Sequence, residues 1–219
     1  MKRPPHAVLF DLDGTLVDTA PDLGYAANLV RAEAGLMALP IEDYRPVASA
    51  GARGLLKIAF GIGPDHADFP ARRESFLAHY RKHLARESRL FDGMDEALAV
   101  FERKIIPWGV VTNKPQWLTA PLMEALNLAQ RSAVTLGAME GLAPKPAPDA
   151  LLRACETLGL RASACVYVGD DRRDITAARA AGMPVVAAGW GYVGYDEPIE
   201  RWGADAILQA PTDLASLLK

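Results

Sequence analysis

Cysteine is scarce in this sequence, with only Cys155 and Cys165 among its 219 residues. Two cysteines make no disulfide framework of the kind that small secreted domains need, and free cysteines in a reducing compartment are usually buried as small hydrophobic side chains. The scarcity argues against a disulfide-stapled secreted fold. We therefore expect two buried free thiols and a cytoplasmic protein.

A long hydrophobic run is also missing. No stretch approaches the roughly 20 apolar residues that a membrane-spanning helix requires. The N-terminal segment MKRPPHAVLF contains basic residues, but its apolar part stops at Asp11 and is too short for a signal peptide. We therefore expect no membrane partner.

An excess of one charge is missing as well. The formal net charge is −3, which gives no support for binding to nucleic acid or to an anionic surface. Hydrophobic residues make up 50% of the chain and charged residues 23%, the balance of an ordinary globular protein. At this length we expect one large domain, or a domain with a smaller insertion, present as a monomer or a homodimer.

What the sequence does contain is an alternation of short apolar runs with helical patterns. Turn-bounded apolar runs predict strands at 7–10, 108–111, 165–168, 184–188 and 206–208. Helical patterns lie between and after them at 95–104, 116–128, 149–158, 175–181 and 212–218. This alternation predicts an α/β fold, a Rossmann-like parallel sheet with helices on both faces.

The segment 19–87 departs from the alternation. It has no convincing strand and instead carries amphipathic stretches at 21–34, 41–48, 52–60 and 71–87. A helical block inserted after the first strand of an α/β sheet is best explained as a separate small domain. The predicted organisation is a core of residues 1–18 and 88–219 and a helical domain of residues 19–87.

Polar clusters follow three of the predicted strands. They are DLDGT at 11–15, TNK at 112–114 and GDDRRD at 169–174. Lys145 precedes the last of these strands in the sequence and lies between two prolines that restrict the backbone around it. Ligands of parallel α/β sheets bind outside the carboxyl ends of the strands, so we expect these groups to converge at one rim.

Each cluster taken alone has a simpler explanation. An Asp-Gly pair is a common turn, GDDRRD could be a solvated helix N-terminus, and Thr-Asn before a proline could cap a helix. Lys145 could be an exposed linker residue. Because all four occur in one order on strand ends that should converge, a shared site explains them better than four coincidences.

Converging carboxylates without cysteine or histidine ligands favour a hard cation, and Mg²⁺ fits best. Such a cation would relieve the repulsion between Asp11 and its acidic neighbours. Together with a threonine hydroxyl, backbone N–H groups and a lysine, it would receive a tetrahedral dianion, as phosphoryl transfer requires. Of two adjacent acids in different environments, one can attack while the other handles protons. The residues alone do not assign these roles.

Four segments of the chain resemble, in order, the four motifs of the haloacid dehalogenase (HAD) superfamily: DLDGTLVDT, VVTN, PKPAPD and GDDRRD. The helical block between the first two is similar to the type 1 cap of that superfamily, so the resemblance implies a HAD-like core with an inserted all-helical cap. It implies that Asp11 is the nucleophile that forms an aspartyl-phosphate. It also implies that Asp13 protonates the leaving alcohol and then activates the hydrolytic water.

The remaining site residues are also implied by the resemblance. Thr112 and the backbone of Asn113 would bind phosphate oxygens, Lys145 would neutralise the nucleophile and the phosphoryl group, and Gly14 is placed with the substrate-binding residues. A Mg²⁺ ion would be held by Asp11, the backbone carbonyl of Asp13 and Asp170, with Asp174 supporting it directly or through water.

The resemblance also bears on the reaction. True dehalogenases of the superfamily lack an acid two residues after the nucleophile, so Asp13 favours phosphate-ester chemistry. A Mg²⁺-dependent phosphatase of a small phosphate ester is the leading hypothesis. A sugar-phosphate phosphomutase of the same superfamily is an alternative, because such mutases share both aspartates. A binding module that has lost turnover is the third.

Finer similarities point to one branch of the superfamily. DTAPDL, YVGDDRRDITAARAAGM and WGADAIL resemble phosphoglycolate phosphatases, whereas WGVVTNKP and Asp171 resemble N-acetylmuramic acid 6-phosphate phosphatases. Both candidate substrates carry a carboxylate beside the phosphate. We expect the cap stretch SAGARG at 49–54 to face the site and Arg53 to bind that carboxylate, the alternative being an arginine on a solvated helix.

Overall fold

The computed structural model describes residues 4–194 and 197–218. Its strands are β1 (Ala7–Phe10), β2 (Val17–Asp18), β3 (Arg89–Leu90), β4 (Trp108–Pro115), β5 (Val134–Ala138), β6 (Cys165–Gly169), β7 (Val185–Ala188) and β8 (Ala206–Leu208). Its α-helices are α1 (Ala20–Glu33), α2 (Ile41–Tyr44), α3 (Gly51–Phe60), α4 (Phe69–Lys82), α5 (Met94–Arg103), α6 (Gln116–Ala125), α7 (Asp149–Leu158) and α8 (Arg172–Ala180). Short 3₁₀ helices cover Arg45–Ala50, Ala162–Ala164, Ile199–Arg201 and Pro211–Leu218.

Six strands form the central sheet in the order β5-β4-β1-β6-β7-β8, and each neighbouring pair is parallel. Strand β1 lies inside this sheet, with Val8 opposite Trp108 on one side and Val166 on the other. Because all four residues of β1 are buried, the strand needs the continuous apolar run that the sequence shows. Its carboxyl end therefore opens at the middle of the sheet edge.

Alternate residues of β1 belong to two different hydrophobic cores, as expected for side chains on opposite faces of a strand. Phe10 shares one core with Phe101 of α5, and the two rings lie 6.4 Å apart. Leu9 belongs to the second core with Leu151 of α7. The predicted α/β sheet with helices on both faces is thus confirmed.

Helices α1 to α4 share a third hydrophobic core, which includes Val30, Leu55, Phe76 and Tyr80. No strand interrupts residues 19–87, as the sequence indicates. The chain leaves and re-enters the sheet region through an antiparallel ribbon in which β2 pairs with β3. The division into two domains at these positions stays a prediction.

Several predicted elements differ from the structure. Strand β5 was not predicted, because it lies at the sheet edge and buries only two of its five residues, Val134 and Gly137. The ribbon strands have two residues each, too few to show a period. The pattern at 212–218 is a 3₁₀ helix instead of an α-helix. Its buried residues Leu214 and Leu217 are three apart, and such residues eclipse one another in a three-residue turn.

Element boundaries also shift. The stretch 41–48 divides into α2 and a 3₁₀ turn that contains Pro46, and α4 ends at Lys82 instead of continuing to 87. Strand β4 extends beyond 111 to Pro115, with an irregular register against β5 between Val111 and Pro115. This extension carries the polar cluster at 112–114 within the strand itself.

Both cysteines are buried and free, as predicted. None of the helices in the described part of the chain has the length and apolar character to cross a bilayer.

Candidate active site

Asp11 follows β1 directly and is buried at the edge of the sheet. Its Oδ1 atom accepts a hydrogen bond from the Leu12 N–H at 2.7 Å and lies 3.0 Å from Nζ of Lys145. Among the described residues, no donor reaches Oδ2 of the same carboxylate. One oxygen of Asp11 is therefore held by two donors, and the other has no hydrogen-bond donor within the described residues.

Asp170 and Asp174 meet Asp11 after the end of β6. One carboxylate oxygen from each of the three lies within 4.8 Å of the others, and all three residues are buried. The Asp170 carboxylate accepts hydrogen bonds from the hydroxyl of Thr15 at 2.7 Å and that of Ser49 at 2.8 Å. Three clustered hard oxygen donors suit a divalent cation.

The crowding of these acids changes their proton affinities. Burial, together with the charges of Asp11 and Asp174, raises the pKa of Asp170 well above its ordinary value. Burial also raises the pKa of Asp174 to about 7, with further contributions from Asp11 and Asp171, although Lys145 opposes the shift. Shifts of this kind are typical of sites that bind a cation or handle protons.

Lys145 is buried between two of these acids, with Nζ 3.0 Å from Asp11 and 2.6 Å from Asp174. Burial disfavours its charge, but the two carboxylates outweigh that effect and raise the pKa of Lys145. The Tyr167 hydroxyl, 2.8 Å from Nζ, completes its surroundings. Lys145 is thus a charged group of the site and not a linker residue.

Asn113 positions Lys145 through its side-chain amide. The amide Nδ2 donates to the carbonyl of Lys145 at 2.9 Å, and Oδ1 accepts from the Lys145 N–H at 2.8 Å. The sequence resemblance assigned a role only to the Asn113 backbone. Nothing in the sequence linked this amide to a residue that lies 32 positions away.

Thr112 is buried where β4 reaches the rim and lines the same cavity as Asp11. Its Oγ1 accepts a hydrogen bond from the Lys114 N–H at 3.2 Å. That contact uses a lone pair of the oxygen, so the hydroxyl proton is free to be donated to a bound anion.

Asp13 lies in the turn after β1, and its surroundings differ from those of Asp11. Its Oδ1 accepts a hydrogen bond from the Thr19 hydroxyl at 2.7 Å, and it forms an ion pair with Lys114 at 2.9 Å. The two aspartates thus have separate lysine partners. Lys114 has no predicted role, although its position beside Thr112 and Asn113 in the sequence was a signal.

Gly14 has a steric role in this turn. Its φ angle is +86°, and an added Cβ would lie 2.2 Å from Oδ2 of Asp170. A side chain would therefore both strain the backbone and push Asp170 out of the acid cluster. Gly14 is not among the residues that line the cavity described below, and its substrate contact stays a prediction.

Asp171 lies beside the acid cluster but takes part in a different interaction. Its side chain caps α8 by accepting the Arg173 N–H and forms an ion pair with the Arg173 guanidinium at 2.7 Å. This pair keeps the pKa of Asp171 below its ordinary value, despite burial. Nη2 of Arg173 also donates to the Ser49 carbonyl at 2.9 Å, which joins α8 to the helical block.

A cavity of about 420 Å³ lies over these groups. Its polar end is formed by Asp11, Thr112 and Lys145, and helical-block residues such as Phe69 and Phe76 contribute an apolar wall. Arg53 of α3 lines the cavity and is exposed. The sequence-predicted residues are thus brought to one cavity, with Gly14 and Asp170 just outside its lining.

A parallel α/β sheet with a carboxylate cluster at its carboxyl edge indicates a class of enzyme that handles anionic substrates with the help of a cation. The chain belongs to the haloacid dehalogenase-like hydrolase family, whose model matches residues 8–188. The predicted HAD resemblance and the expectation of a hydrolase are confirmed by this match.

Two sequence relatives cover almost the whole chain. A phosphoglycolate phosphatase of Xanthomonas campestris pv. campestris (strain 8004) is 45% identical over 216 residues, 97% of this chain and 96% of that protein. An N-acetylmuramic acid 6-phosphate phosphatase of Pseudomonas putida is 42% identical over 213 residues, with 97% and 96% covered. The predicted similarity to both branches is confirmed.

A solved structure shares the fold over the full length of both chains. It is described as a predicted phosphoglycolate phosphatase from Haemophilus somnus 129PT, and it matches with a TM-score of 0.86 at 27% identity, covering 100% of each chain.

Proposed function

We propose that the protein is a Mg²⁺-dependent phosphatase of a small carboxylate-bearing phosphomonoester, with 2-phosphoglycolate and N-acetylmuramic acid 6-phosphate as candidate substrates. The observation that carries the proposal is the Asp11 carboxylate, held on one oxygen by Lys145 beside Asp170 and Asp174. The names of the relatives support the two substrates.

In the first half of the proposed reaction, Oδ2 of Asp11 attacks the phosphorus atom. A new P–O bond forms to Asp11 while the P–O bond to the substrate alcohol breaks, and the leaving oxygen takes a proton from Asp13. The product is an aspartyl-phosphate and a free alcohol. Asp11 and Asp13 have separate lysine partners, so the two carboxylates do not compete for one cation, and Asp13 must be protonated when it acts as the acid.

In the second half, water attacks the phosphorus of the aspartyl-phosphate. Asp13 accepts a proton from that water, the bond between phosphorus and Asp11 breaks, and inorganic phosphate leaves. Lys145 and the Thr112 hydroxyl would stabilise the phosphoryl oxygens throughout, with the Asn113 backbone as a further donor.

The acid cluster fits a hard divalent cation. Asp11, the Asp13 carbonyl and Asp170 would hold Mg²⁺, with Asp174 in support. When bound, the ion would offset the negative charge that the phosphoryl group brings to these acids.

Substrate choice would depend on the helical block, because the groups around Asp11 serve any phosphomonoester. The cavity of about 420 Å³ is within the usual range for small-molecule sites. It joins an anion-binding end to an apolar wall, which suits a substrate with a phosphate at one end and a larger acid or sugar beyond it. Arg53 is the proposed partner of the carboxylate.

Phosphate release should be measured with Mg²⁺ across a panel of phosphorylated metabolites that includes both candidate substrates, with p-nitrophenyl phosphate as a generic substrate. Preference for a carboxylate-bearing ester supports the proposal. A requirement for a bisphosphate activator without phosphate release would indicate the phosphomutase alternative, and inactivity on every ester would indicate a binding module. The cytoplasmic location, the monomeric or dimeric state and the lack of nucleic-acid and membrane partners stay predictions.

A further inference from the structure

Lys114 is a buried cation that the proposed reaction does not use. Its side chain is only 4% exposed, although it follows the phosphate-binding pair of Thr112 and Asn113. Its Nζ donates to Oδ1 of Asp13 at 2.9 Å, to Oδ2 of Asp13 at 3.2 Å and to the Tyr80 hydroxyl at 2.8 Å. An ammonium group has three protons, so these three contacts use all of them.

The surroundings of Lys114 offset the cost of burying its ammonium group. A buried ammonium is costly unless it is paired and hydrogen-bonded, and Asp13 is its only ion-pair partner among the described residues. Burial, with the charges of Asp13 and Asp22, raises the pKa of Tyr80 well above its ordinary value. Tyr80 therefore stays a neutral phenol whose hydroxyl oxygen can accept a hydrogen bond from the Lys114 ammonium group. Its ring also lies 4.3 Å from Nζ.

The same contacts fix the direction of the Asp13 carboxylate. Two of its contacts come from Lys114 on β4 and one from Thr19 at the start of α1. Tyr80, on α4, is fully buried and lines the cavity. A residue that acts as general acid and base must lie within hydrogen-bond distance of the reacting oxygen. The rate of proton transfer by Asp13 therefore depends on the contacts that orient its carboxylate.

We propose that Lys114 is a positioning residue that acts through Asp13, and that its bond to Tyr80 makes the orientation of Asp13 depend on helix α4. The inference rests on the proposed phosphatase function, in which Asp13 is the acid and base. It predicts that loss of Lys114 slows the steps that need Asp13 and spares the attack by Asp11.

p-Nitrophenyl phosphate separates these steps. Its leaving group is a stable anion that needs no proton, so the formation of the aspartyl-phosphate releases p-nitrophenolate without help from Asp13. Hydrolysis of the aspartyl-phosphate still requires Asp13 to accept a proton from water. A defect in Asp13 should therefore produce a rapid burst of p-nitrophenol followed by slow turnover.

The experiment is stopped-flow measurement of p-nitrophenol release by the Mg²⁺-loaded full-length enzyme. Lys114→Met should give a burst of about one equivalent per site, with a steady-state rate lower by about 10- to 100-fold, part of the 10²–10⁴ that general acid–base catalysis supplies. Asp13→Asn should behave in the same way. Tyr80→Phe removes one hydroxyl and should lower the steady-state rate by about 2- to 10-fold.

Two controls separate positioning from structure. Lys57→Met removes an exposed lysine on α3 and should leave both phases unchanged. In Lys114→Ala, added methylamine should restore part of the steady-state rate, because only a missing ammonium group can be replaced in this way. A loss of rate caused by the missing apolar part of the side chain or by a disturbed fold would give no such rescue.

Several results would overturn the inference. A steady-state rate of Lys114→Met within twofold of wild type, while Asp13→Asn is slow, removes Lys114 from the mechanism and leaves the proposed function intact. If the burst rate falls as much as the steady-state rate, Lys114 interacts with the phosphoryl group instead of acting through Asp13. If Lys114→Met does not fold, an unchanged rate for Tyr80→Phe overturns the coupling to α4. Absence of phosphate release by wild type overturns the proposed function and this inference with it.

Discussion

The two oxygens of the Asp11 carboxylate lie in different surroundings. Oδ1 is fixed by Lys145 and by the Leu12 N–H, whereas Oδ2 has no donor among the described residues. The contacts of Oδ1 orient the carboxylate, and Oδ2 is the oxygen that we propose attacks the phosphorus atom. This asymmetry makes the role of Asp11 testable with a substitution that changes few contacts.

Asp11→Asn should abolish phosphatase turnover, by at least about a thousandfold, because a neutral amide is a poor nucleophile. The change is nearly isosteric, so the fold should be kept. Steady-state phosphate release and circular dichroism test the two statements, with Asp65→Asn, an exposed acid, as the matched control. A variant that kept most of the wild-type rate would contradict the covalent mechanism.

Metal binding should depend on pH at the same group of acids. A carboxylate must lose its proton before it binds a cation, and the pKa of Asp174 is raised to about 7. Below that pH Mg²⁺ must displace a proton from Asp174, in addition to the proton that the raised pKa of Asp170 favours on that residue, so affinity should rise as the pH increases through about 7. Calorimetry at acid and alkaline pH, in buffers of different ionisation enthalpy, measures the released proton.

The substitution Asp174→Asn provides the test of that assignment. It removes the titrating carboxylate, so part of the proton release at acid pH should disappear. An affinity for Mg²⁺ that does not change with pH, or an unchanged proton release in the variant, would show that Asp174 is not the group that is displaced.

Some residues of the candidate site could be predicted from the sequence, and others could not. Asp11 and Asp170 were predictable because their motifs directly follow predicted strands. Lys145 was predictable because the four motifs occur in the same order along the chain as in the superfamily. The partner of Asp13 was not predictable, since Lys114 lies 101 positions away. That pairing depends on side-chain geometry at the rim, which no local pattern records.

At the scale of elements, the stretch 49–54 joins the helical block to the acid cluster. The Ser49 hydroxyl donates to Asp170 at 2.8 Å, and the Ser49 carbonyl accepts from Arg173 at 2.9 Å. Helix α3 begins two residues later and brings Arg53 to the cavity. Residues 49–53 line the cavity, and the binding of a substrate carboxylate by Arg53 stays a prediction.

Arg53→Ala should lower kcat/KM for a carboxylate-bearing substrate by about 10- to 100-fold, since a charge-assisted hydrogen bond contributes about 1.5–3 kcal/mol. Activity on p-nitrophenyl phosphate, which has no carboxylate, should change little. Lys57→Ala on the same helix is the matched control. Equal losses of activity on both substrates would indicate that Arg53 binds the phosphate or supports the fold. No loss on either substrate would indicate an arginine on a solvated helix face with no part in substrate binding.

Most of the predicted strands are apolar runs bounded by turn residues, and this holds even for the partly exposed edge strand β8. Strands β1 and β6 are continuous apolar runs with both faces covered. Strand β5 was missed because Thr135 and Gly137 interrupt its short apolar run, and glycine is depleted in strands. Short elements such as the ribbon of β2 and β3 are specified by their pairing and not by their own residues.

At the scale of the whole molecule, Asp22 joins the two chain crossings between the helical block and the sheet. It lies near the start of α1 and is fully buried. Its carboxylate accepts the N–H groups of Glu87 at 3.1 Å and Ser88 at 2.9 Å, and the Ser88 hydroxyl at 2.7 Å. The outgoing chain thus binds the returning chain directly beside the ribbon of β2 and β3.

Asp22→Ala should therefore destabilise the whole protein. It leaves two backbone N–H groups and a hydroxyl without their acceptor, and each unsatisfied buried group costs about 1–3 kcal/mol. Water entering the space would satisfy part of this set, so we expect a loss of about 2–5 kcal/mol. For a chain of this size that is a decrease in Tm of roughly 4–20 °C, at about 2–4 °C per kcal/mol.

Thermal and urea unfolding of the metal-free protein measure this loss apart from any effect on Mg²⁺ binding. Asp65→Ala, which removes an exposed acid from the same helical block, should leave the midpoint unchanged. Asp22→Asn keeps one acceptor oxygen and should fall between the two, since it can still bind one of the N–H groups. If Asp22→Ala unfolds at the wild-type midpoint, the two crossings are held by the ribbon and the hydrophobic cores alone, and the buried carboxylate has no part in joining them.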